Sequence, residues 1–248
     1  MRRLRMRIEY DGTDFAGWQR QANAPTVQAT IEDALGEMLK VPDGARIVVR
    51  GAGRTDAGVH ALGQVAHFET DANIPLVGFR RGLNALLPRS IAIVSLDEAP
   101  PDFDARFSAR GKLYRYQIWN ADSRAPLTDR YVWHQPRPLD AARMQAAARP
   151  LVGRHDFSAF RSADCERKTT ERTLTRLEVA RSGELVTIEV EADAFLKNMV
   201  RILVGTLTDA GYGKRDAQAI ERLLASGDRR LAGPTAPPQG LTLVRVDY

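Results

Sequence analysis

The chain has 248 residues, 44% hydrophobic and 27% charged, which is enough for one large globular domain or two smaller ones. Its net charge of +5 rests on 36 basic residues, of which five are lysines, so 36 − 5 = 31 are arginines. This balance fits either a polyanionic partner or a compositional bias toward arginine. The single cysteine excludes an internal disulfide framework, and neither a signal peptide nor a membrane-spanning run is visible. We therefore expect a soluble cytoplasmic protein.

The first half of the chain is predicted to follow the order β-α-β-β-α-β, the split unit of ferredoxin-like folds. Apolar and charged residues alternate over 4–10, which predicts a half-buried strand. An apolar stripe after Thr26 predicts a helix that this residue caps and that continues to Lys40. The other predicted elements of this half are strands at 46–50, 64–69 and 91–96 and a helix at 77–87 that stops before Pro88.

The second half repeats this order, so we predict an α+β fold with two ferredoxin-like halves, residues 1–108 and 109–248. Together they are expected to form one long, mostly antiparallel sheet with helices on one face and a cleft on the other. The predicted elements of the second half are strands at 113–119, 174–180, 185–191 and 241–246 and helices at 139–151, 196–210 and 217–224.

The segment GAGRTDAGVH (51–60) surrounds Arg54 and Asp56 with three glycines. It does not fit the dinucleotide-binding fingerprint, because that motif needs a glycine where Asp56 stands. Aspartate is common in turns, so the local sequence leaves a turn-forming role open. Alternatively, Arg54 and His60 flank a carboxylate that a nearby cation would keep ionised, as a nucleophile or a base requires.

Aromatic and basic side chains provide the remaining candidates. Tyr114 and Tyr116 share one face of a predicted strand, where aromatic rings either pack in the core or stack on bases. Arg201 interrupts an apolar helix start and faces either solvent or an acid. Arginine-rich stretches fit either a solvated surface or phosphate contact. These stretches contain Arg106, Phe107 and Arg110 in one place and Arg161, Arg167, Lys168, Arg172 and Arg176 in another.

Other site chemistries are not supported by the sequence. His60 and His67 have no third ligand at a metal-like spacing, so a zinc site is rejected. No Ser-His-Asp or Cys-His arrangement is legible, and Cys165 has no evident base partner.

The block GAGRTDAGVHALGQVAHF (51–68) resembles the signature of the tRNA pseudouridine synthase A family. The resemblance covers nearly the whole chain and implies isomerisation of uridine to pseudouridine at positions 38–40 of the tRNA anticodon stem-loop. It also implies a homodimer whose tRNA spans both subunits, with no metal, nucleotide or redox cofactor. The further matching stretches are YDG (10–12), GWQRQ (17–21), FDARFSA (103–109), KLYRY (112–116), MVR (199–201) and GLTLVRVDY (240–248).

The resemblance also implies a role for each main candidate. Asp56 would be the catalytic aspartate, acting either by attack at C1′ or by removal of a proton from C2′. Arg201 would pair with this carboxylate, and Tyr114 would stack on the target uracil. Arg54 would fill the space left by the flipped base or hold its phosphate.

Two other functions remain open from the residues themselves. A non-catalytic protein with tandem RNA-binding modules would share the duplicated halves and surface aromatics, although its signature K/R-G-F/Y-G/A-F-V-x-F/Y is not found. A small-molecule glycosidase normally uses two carboxylates that face a sugar, and only Asp56 stands out here.

Overall fold

The computed structural model describes residues 1–42, 44–165 and 168–248. Within these ranges the chain forms ten strands and five α-helices, and the strands pair mostly in antiparallel fashion. The predicted α+β class is confirmed. No α-helix in the described ranges is long and apolar enough to cross a membrane.

The chain divides into two compact units, Met1–Arg110 with Leu243–Tyr248 and Gly111–Thr242. The last strand is therefore shared, because its first two residues belong to the second unit. The elements are β1 (Arg2–Tyr10), α1 (Val27–Leu39), β2 (Arg50–Gly51), β3 (His60–Thr70), α2 (Leu76–Leu86), β4 (Ile91–Glu98), β5 (Gly111–Trp119), β6 (Trp133–His134), α3 (Ala141–Ala148), β7 (Gly153–Asp156), β8 (Glu171–Ser182), β9 (Leu185–Ala192), α4 (Met199–Gly211), α5 (Ala217–Ser226) and β10 (Leu241–Asp247).

In the first unit the strand order is β4-β1-β3-β10, and β2 also pairs with β3. The alternation predicted for β1 is confirmed, since Leu4, Met6 and Ile8 are fully buried. On the same sheet face, Phe68 of β3 packs edge-on against Phe79 of α2, with ring centroids 5.9 Å apart. The apolar face of this sheet is therefore the one that the helices cover.

The strand predicted at 46–50 is wrong for most of its length, because β2 contains only Arg50 and Gly51. The backbone of Val49 instead bonds to side chains of α1. Its N–H donates to the buried Glu32 carboxylate at 3.0 Å, and its carbonyl accepts from the Gln28 amide at 2.9 Å. These side chains satisfy the groups that a neighbouring strand would otherwise bind.

In the second unit the strand order is β5-β9-β8-β7, with β6 parallel to one end of β5. The predicted helix 139–151 ends at Ala148 and continues as a 3-10 turn, Arg149–Leu151, because Pro150 cannot donate a backbone hydrogen bond. The helix predicted from 196 begins only at Met199. Its N-cap, Asn198, adopts a left-handed conformation with φ 60°.

Candidate active site

Asp56 lies half-buried on the loop between β2 and β3 of the first unit. Backbone hydrogen bonds fix the loop on both sides of this residue. The Trp18 N–H donates to the Thr55 carbonyl at 3.1 Å, and the Gly58 N–H donates to the Phe15 carbonyl at 3.2 Å. The main chain therefore presents Asp56 from a constrained position.

Two glycines in the preceding segment allow this close approach. A Cβ on Gly17, whose φ is +97°, would lie 2.6 Å from the Thr55 carbonyl oxygen and 3.1 Å from the carbonyl carbon of Asp56. A Cβ on Gly12 would lie 2.0 Å from the carbonyl oxygen of Val59. Any larger residue at either position would displace the loop backbone.

A buried polar cluster lies behind the loop. The Tyr10 and Thr55 hydroxyl groups share a hydrogen bond of 2.7 Å, and the Gln64 amide donates to the Gly53 carbonyl at 2.9 Å. Burial raises the pKa of Tyr10 to about 12, although hydrogen bonds from Thr55 and Gln64 oppose the shift. Tyr10 is therefore a neutral hydrogen-bonding group at physiological pH.

The two residues that flank Asp56 in the motif have different surroundings. Arg54 is exposed, and its Nε donates to the Gln19 side-chain oxygen at 3.2 Å. His60 is buried, and its Nδ1 accepts from the Gly12 N–H at 3.0 Å. Arg54 is thus accessible to a substrate, whereas His60 anchors the end of the loop.

Arg201 lies in the first turn of α4 in the second unit. Its Nε donates to the Ala236 carbonyl at 2.7 Å, and its Nη1 donates to the Asn198 side chain at 3.0 Å. The Ala236 N–H returns a bond of 3.0 Å to the Arg201 carbonyl. The proline-rich segment 233–240 therefore helps to orient this guanidinium.

Tyr114 and Tyr116 share one face of β5 in the second unit. Tyr114 is 8% exposed, and its ring meets Phe195 edge-on with centroids 5.1 Å apart. Tyr116 is fully buried, and its hydroxyl donates to the Pro237 carbonyl at 2.8 Å. Burial raises the pKa of Tyr116, which the nearby Arg201 charge partly opposes. Both tyrosines are therefore buried, and Tyr114 is the one that retains a small exposed fraction.

The first arginine-rich stretch forms a turn in the first unit that presents Arg106 and Phe107 to solvent. Phe107 is 80% exposed, and the Arg106 guanidinium lies 5.3 Å from the centre of its ring. The Asp104 carboxylate accepts hydrogen bonds from the backbone N–H groups of both residues, at 2.8 and 2.9 Å. Arg110 is also exposed, and its N–H donates to the carbonyl of Asp247 at 2.8 Å.

Buried groups hold this turn from below. The Ala105 N–H donates to His67 Nδ1 at 3.1 Å, and its carbonyl accepts from the Tyr248 hydroxyl at 2.7 Å. Burial lowers the pKa of His67, so the neutral imidazole that can accept this N–H is favoured. The exposed pair Arg106–Phe107 is therefore built on a rigid base.

The second arginine-rich stretch lies in the second unit. Arg161 is half-buried after a short 3-10 helix, and Lys168 is exposed. Arg167 lies outside the described residues. Within the described part of the chain, no group of three or more His, Cys, Asp or Glu side chains could hold a metal ion.

Some residues that shape the loop are missed by sequence reasoning. Thr55 and Gln64 lie within the family-like block, but nothing in their spacing shows that they join Tyr10, 45 residues from Thr55, in one cluster. The available signal is a polar Gln64 inside a strand whose neighbours are mostly apolar. Such a buried amide needs hydrogen-bond partners.

Comparison with known proteins identifies the class of this protein. Residues 6–108 and 147–248 match the family model described as tRNA pseudouridine synthase. The matched segments contain Asp56 and Arg201, and Tyr114 lies between them. The chain is therefore an isomerase and belongs to the tRNA pseudouridine synthase family.

The curated relatives agree over the full length of the chain. A protein of Geotalea uraniireducens (strain Rf4) named tRNA pseudouridine synthase A is 52% identical over 248 residues, with all of both chains covered. Proteins of the same name from Geobacter sulfurreducens and Myxococcus xanthus are 47% and 49% identical. All of this chain is covered in both comparisons, with 100% and 92% of the respective relatives. The predicted family resemblance is confirmed.

Proposed function

We propose that this protein converts uridine to pseudouridine at positions 38–40 of the tRNA anticodon stem-loop. The proposal rests on the family match, whose segments lie in both units. The first of these segments contains the half-buried Asp56 on its hydrogen-bonded loop. Relatives named tRNA pseudouridine synthase A, 45–52% identical over essentially the whole chain, support tRNA as the substrate.

The reaction rearranges bonds within one nucleotide. The N1–C1′ bond breaks, the uracil turns, and a C5–C1′ bond forms; C5 then releases its hydrogen as a proton and N1 gains one. No oxidant or reductant is consumed. Asp56 acts on the ribose as an ionised carboxylate, either by attack at C1′ or by removal of the C2′ proton.

The target base must leave the stack to reach this carboxylate. In the proposal, Tyr114 stacks on the extruded uracil, and Arg201 pairs with Asp56 and orients it. The exposed Arg54 occupies the vacated space or holds the phosphate. The hydrogen bonds from Arg201 to Ala236 and Asn198 support this role, because a guanidinium that is already oriented loses less entropy on pairing.

Contact with the RNA backbone is assigned to the arginine-rich stretches. The exposed Arg106–Phe107 pair offers one cation and one ring on a rigid turn, which suits a phosphate beside an unstacked base. The remaining residues proposed for this contact are Arg110, Arg161, Arg167 and Lys168.

We further propose that the enzyme is a cytoplasmic homodimer. Two copies form a homodimer in the cytoplasm, and one tRNA contacts both subunits. Within each subunit, residues 1–108 supply the catalytic loop and residues 109–248 supply Tyr114 and Arg201. Sedimentation of the purified protein, alone and with tRNA, measures the stoichiometry directly.

The decisive experiment maps pseudouridine by position in unmodified tRNA transcripts after incubation with the purified protein. One transcript carries uridine at positions 38–40, and its control carries cytidine there. Asp56→Asn keeps the shape of the side chain but removes the ionisable oxygen. We expect modification of the uridine transcript by the parent, none by the variant, and tRNA binding within several-fold for both.

Two results would contradict the proposal in different ways. Tight tRNA binding without pseudouridine formation by the parent would favour the non-catalytic RNA-binding alternative. Pseudouridine only outside positions 38–40 would retain the isomerase activity but refute the proposed target site.

A further inference from the structure

The Asp56 loop depends on a buried polar cluster formed by Tyr10, Thr55 and Gln64. We infer that Tyr10, acting through its hydrogen bond to Thr55, is a positioning residue that sets the orientation of Asp56 for catalysis. This inference rests on the proposed function.

The polar cluster is buried. Tyr10 is 3% exposed, Thr55 6% and Gln64 0%, so solvent does not compete for their hydrogen bonds. A buried polar network is costly unless every member is satisfied, and a satisfied one fixes a single arrangement. An apolar pair of the same shape would pack here at similar stability. The hydroxyl pair therefore contributes directional constraint to the loop.

The constraint acts on the residue next to Asp56. Thr55 immediately precedes Asp56 and is held twice: its Oγ1 binds the Tyr10 hydroxyl at 2.7 Å, and its carbonyl accepts from Trp18 at 3.1 Å. Fixing both the side chain and the peptide of one residue limits rotation of the next. Gln64 applies a similar constraint upstream through the Gly53 carbonyl.

Tyr10 itself is held rigidly by the sheet. Tyr10 is the last residue of β1, which is paired on both sides, with Ala61 of β3 and Ile91 of β4 as its partners. Its ring also lies 6.1 Å from that of Trp18. The hydroxyl is therefore a fixed reference point, whereas the loop alone has little regular structure.

A positioning role predicts a loss of rate without a loss of substrate affinity. A displacement of about 1 Å at a catalytic group can cost on the order of 100-fold in rate. For Tyr10→Phe we expect kcat to fall about 10- to 100-fold and KM for tRNA to stay within about threefold. Release of tritium from tRNA labelled at C5 of uridine measures both quantities.

A double-mutant cycle separates this role from general destabilisation. Thr55→Val removes the partner hydroxyl at nearly constant shape, and Thr55→Ser retains it. If the two hydroxyls act as one unit, the double variant Tyr10→Phe/Thr55→Val loses no more kcat than the worse single variant. Thr55→Ser should recover most of the parental rate. As a control, Tyr212→Phe removes a tyrosine hydroxyl bond to Gln135 in the second unit and should leave kcat unchanged.

The experiment distinguishes failure of the positioning role from failure of the proposed function. A parent enzyme that releases no tritium refutes the proposed function, whereas an active parent with parental kcat in Tyr10→Phe refutes only the positioning role. Additive losses in the cycle would also overturn it. If a single variant does not fold, the kcat of the double variant is compared directly with that of the parent, because both partners are apolar in the double variant. Failure of the double variant to fold would show that the pair is structural and would equally overturn the inference.

Discussion

Gly17→Ala tests whether the position of the catalytic loop depends on its contact with the preceding segment. The new Cβ would lie 2.6 Å from the Thr55 carbonyl oxygen, and this obstacle is backbone, which cannot rotate away. The φ of +97° adds roughly 1–2 kcal/mol of strain for a residue with a side chain. Overpacking against a well-packed neighbour adds about 1–3 kcal/mol. We therefore expect the free energy of unfolding to fall by about 2–5 kcal/mol.

The same change should affect catalysis more than its cost in stability implies. Relief of the overlap requires the Asp56 backbone to move by several tenths of an ångström, so kcat should fall by at least about tenfold, even at temperatures where the variant is fully folded. Denaturant unfolding and single-turnover tritium release measure the two effects separately.

Gly36→Ala is the matched control, because it is the same substitution at a glycine of α1 with nothing within 4 Å of the new Cβ. Alanine in a helix interior stabilises by up to about 1 kcal/mol relative to glycine, so this variant should keep its turnover and unfold slightly later. Parental stability and parental kcat in Gly17→Ala would refute the reasoning.

Three further predictions address the other candidates. Tyr114→Phe should bind tRNA normally, whereas Tyr114→Ala should lose roughly 1–3 kcal/mol of binding free energy in a filter-binding assay; equal thermal destabilisation of both variants would instead indicate a core-packing role. Arg201→Met should lower kcat strongly and leave the pH optimum of turnover nearly unchanged, and Arg201→Lys should retain part of the rate because the charge remains; parental turnover in Arg201→Met would remove Arg201 from the mechanism. Because the pKa of His67 is lowered in the folded protein, the unfolded chain takes up a proton first as the pH falls through the ordinary histidine value of 6.5. The stabilising contribution of neutral His67 is therefore complete above pH 6.5, and it is lost as the pH falls from there through the lowered pKa of the folded state. The Tm of the parent should thus fall more steeply below pH 6.5 than that of His67→Gln, which keeps an acceptor for Ala105 but does not titrate; parallel curves would contradict this.

The sequence predicts those elements whose signals are local. Alternation identifies β1, and Thr26 caps α1 as expected, with its side chain accepting from the Ala29 N–H at 3.3 Å. Each signal is carried by residues that lie close to one another along the chain. The sequence does not predict the short strands β6 and β7, because two and four residues are too few for a periodic pattern.

The sequence predicts which residue types form the candidate site, but it does not predict the hydrogen bonds that hold them in place. The glycine-flanked Asp56 can be recognised in the motif because the residues that indicate its chemistry are adjacent in the sequence. The bond between Tyr10 and Thr55, and that between His67 and Ala105, join residues that the chain brings together only on folding. Val49 is a position where a local signal misleads. Its apolar neighbours in the sequence suggest a strand, but its backbone groups bond to side chains of α1.

That arrangement at Val49 has a consequence for how the molecule opens. The peptide that leads into the catalytic loop is held by Glu32 and Gln28, two residues one helical turn apart. Fraying of α1 would therefore release the loop entrance while β3 stays paired. Amide hydrogen exchange at Val49 should follow the opening of the helix, so that the helix and the loop entrance behave as one cooperative unit separate from the sheet.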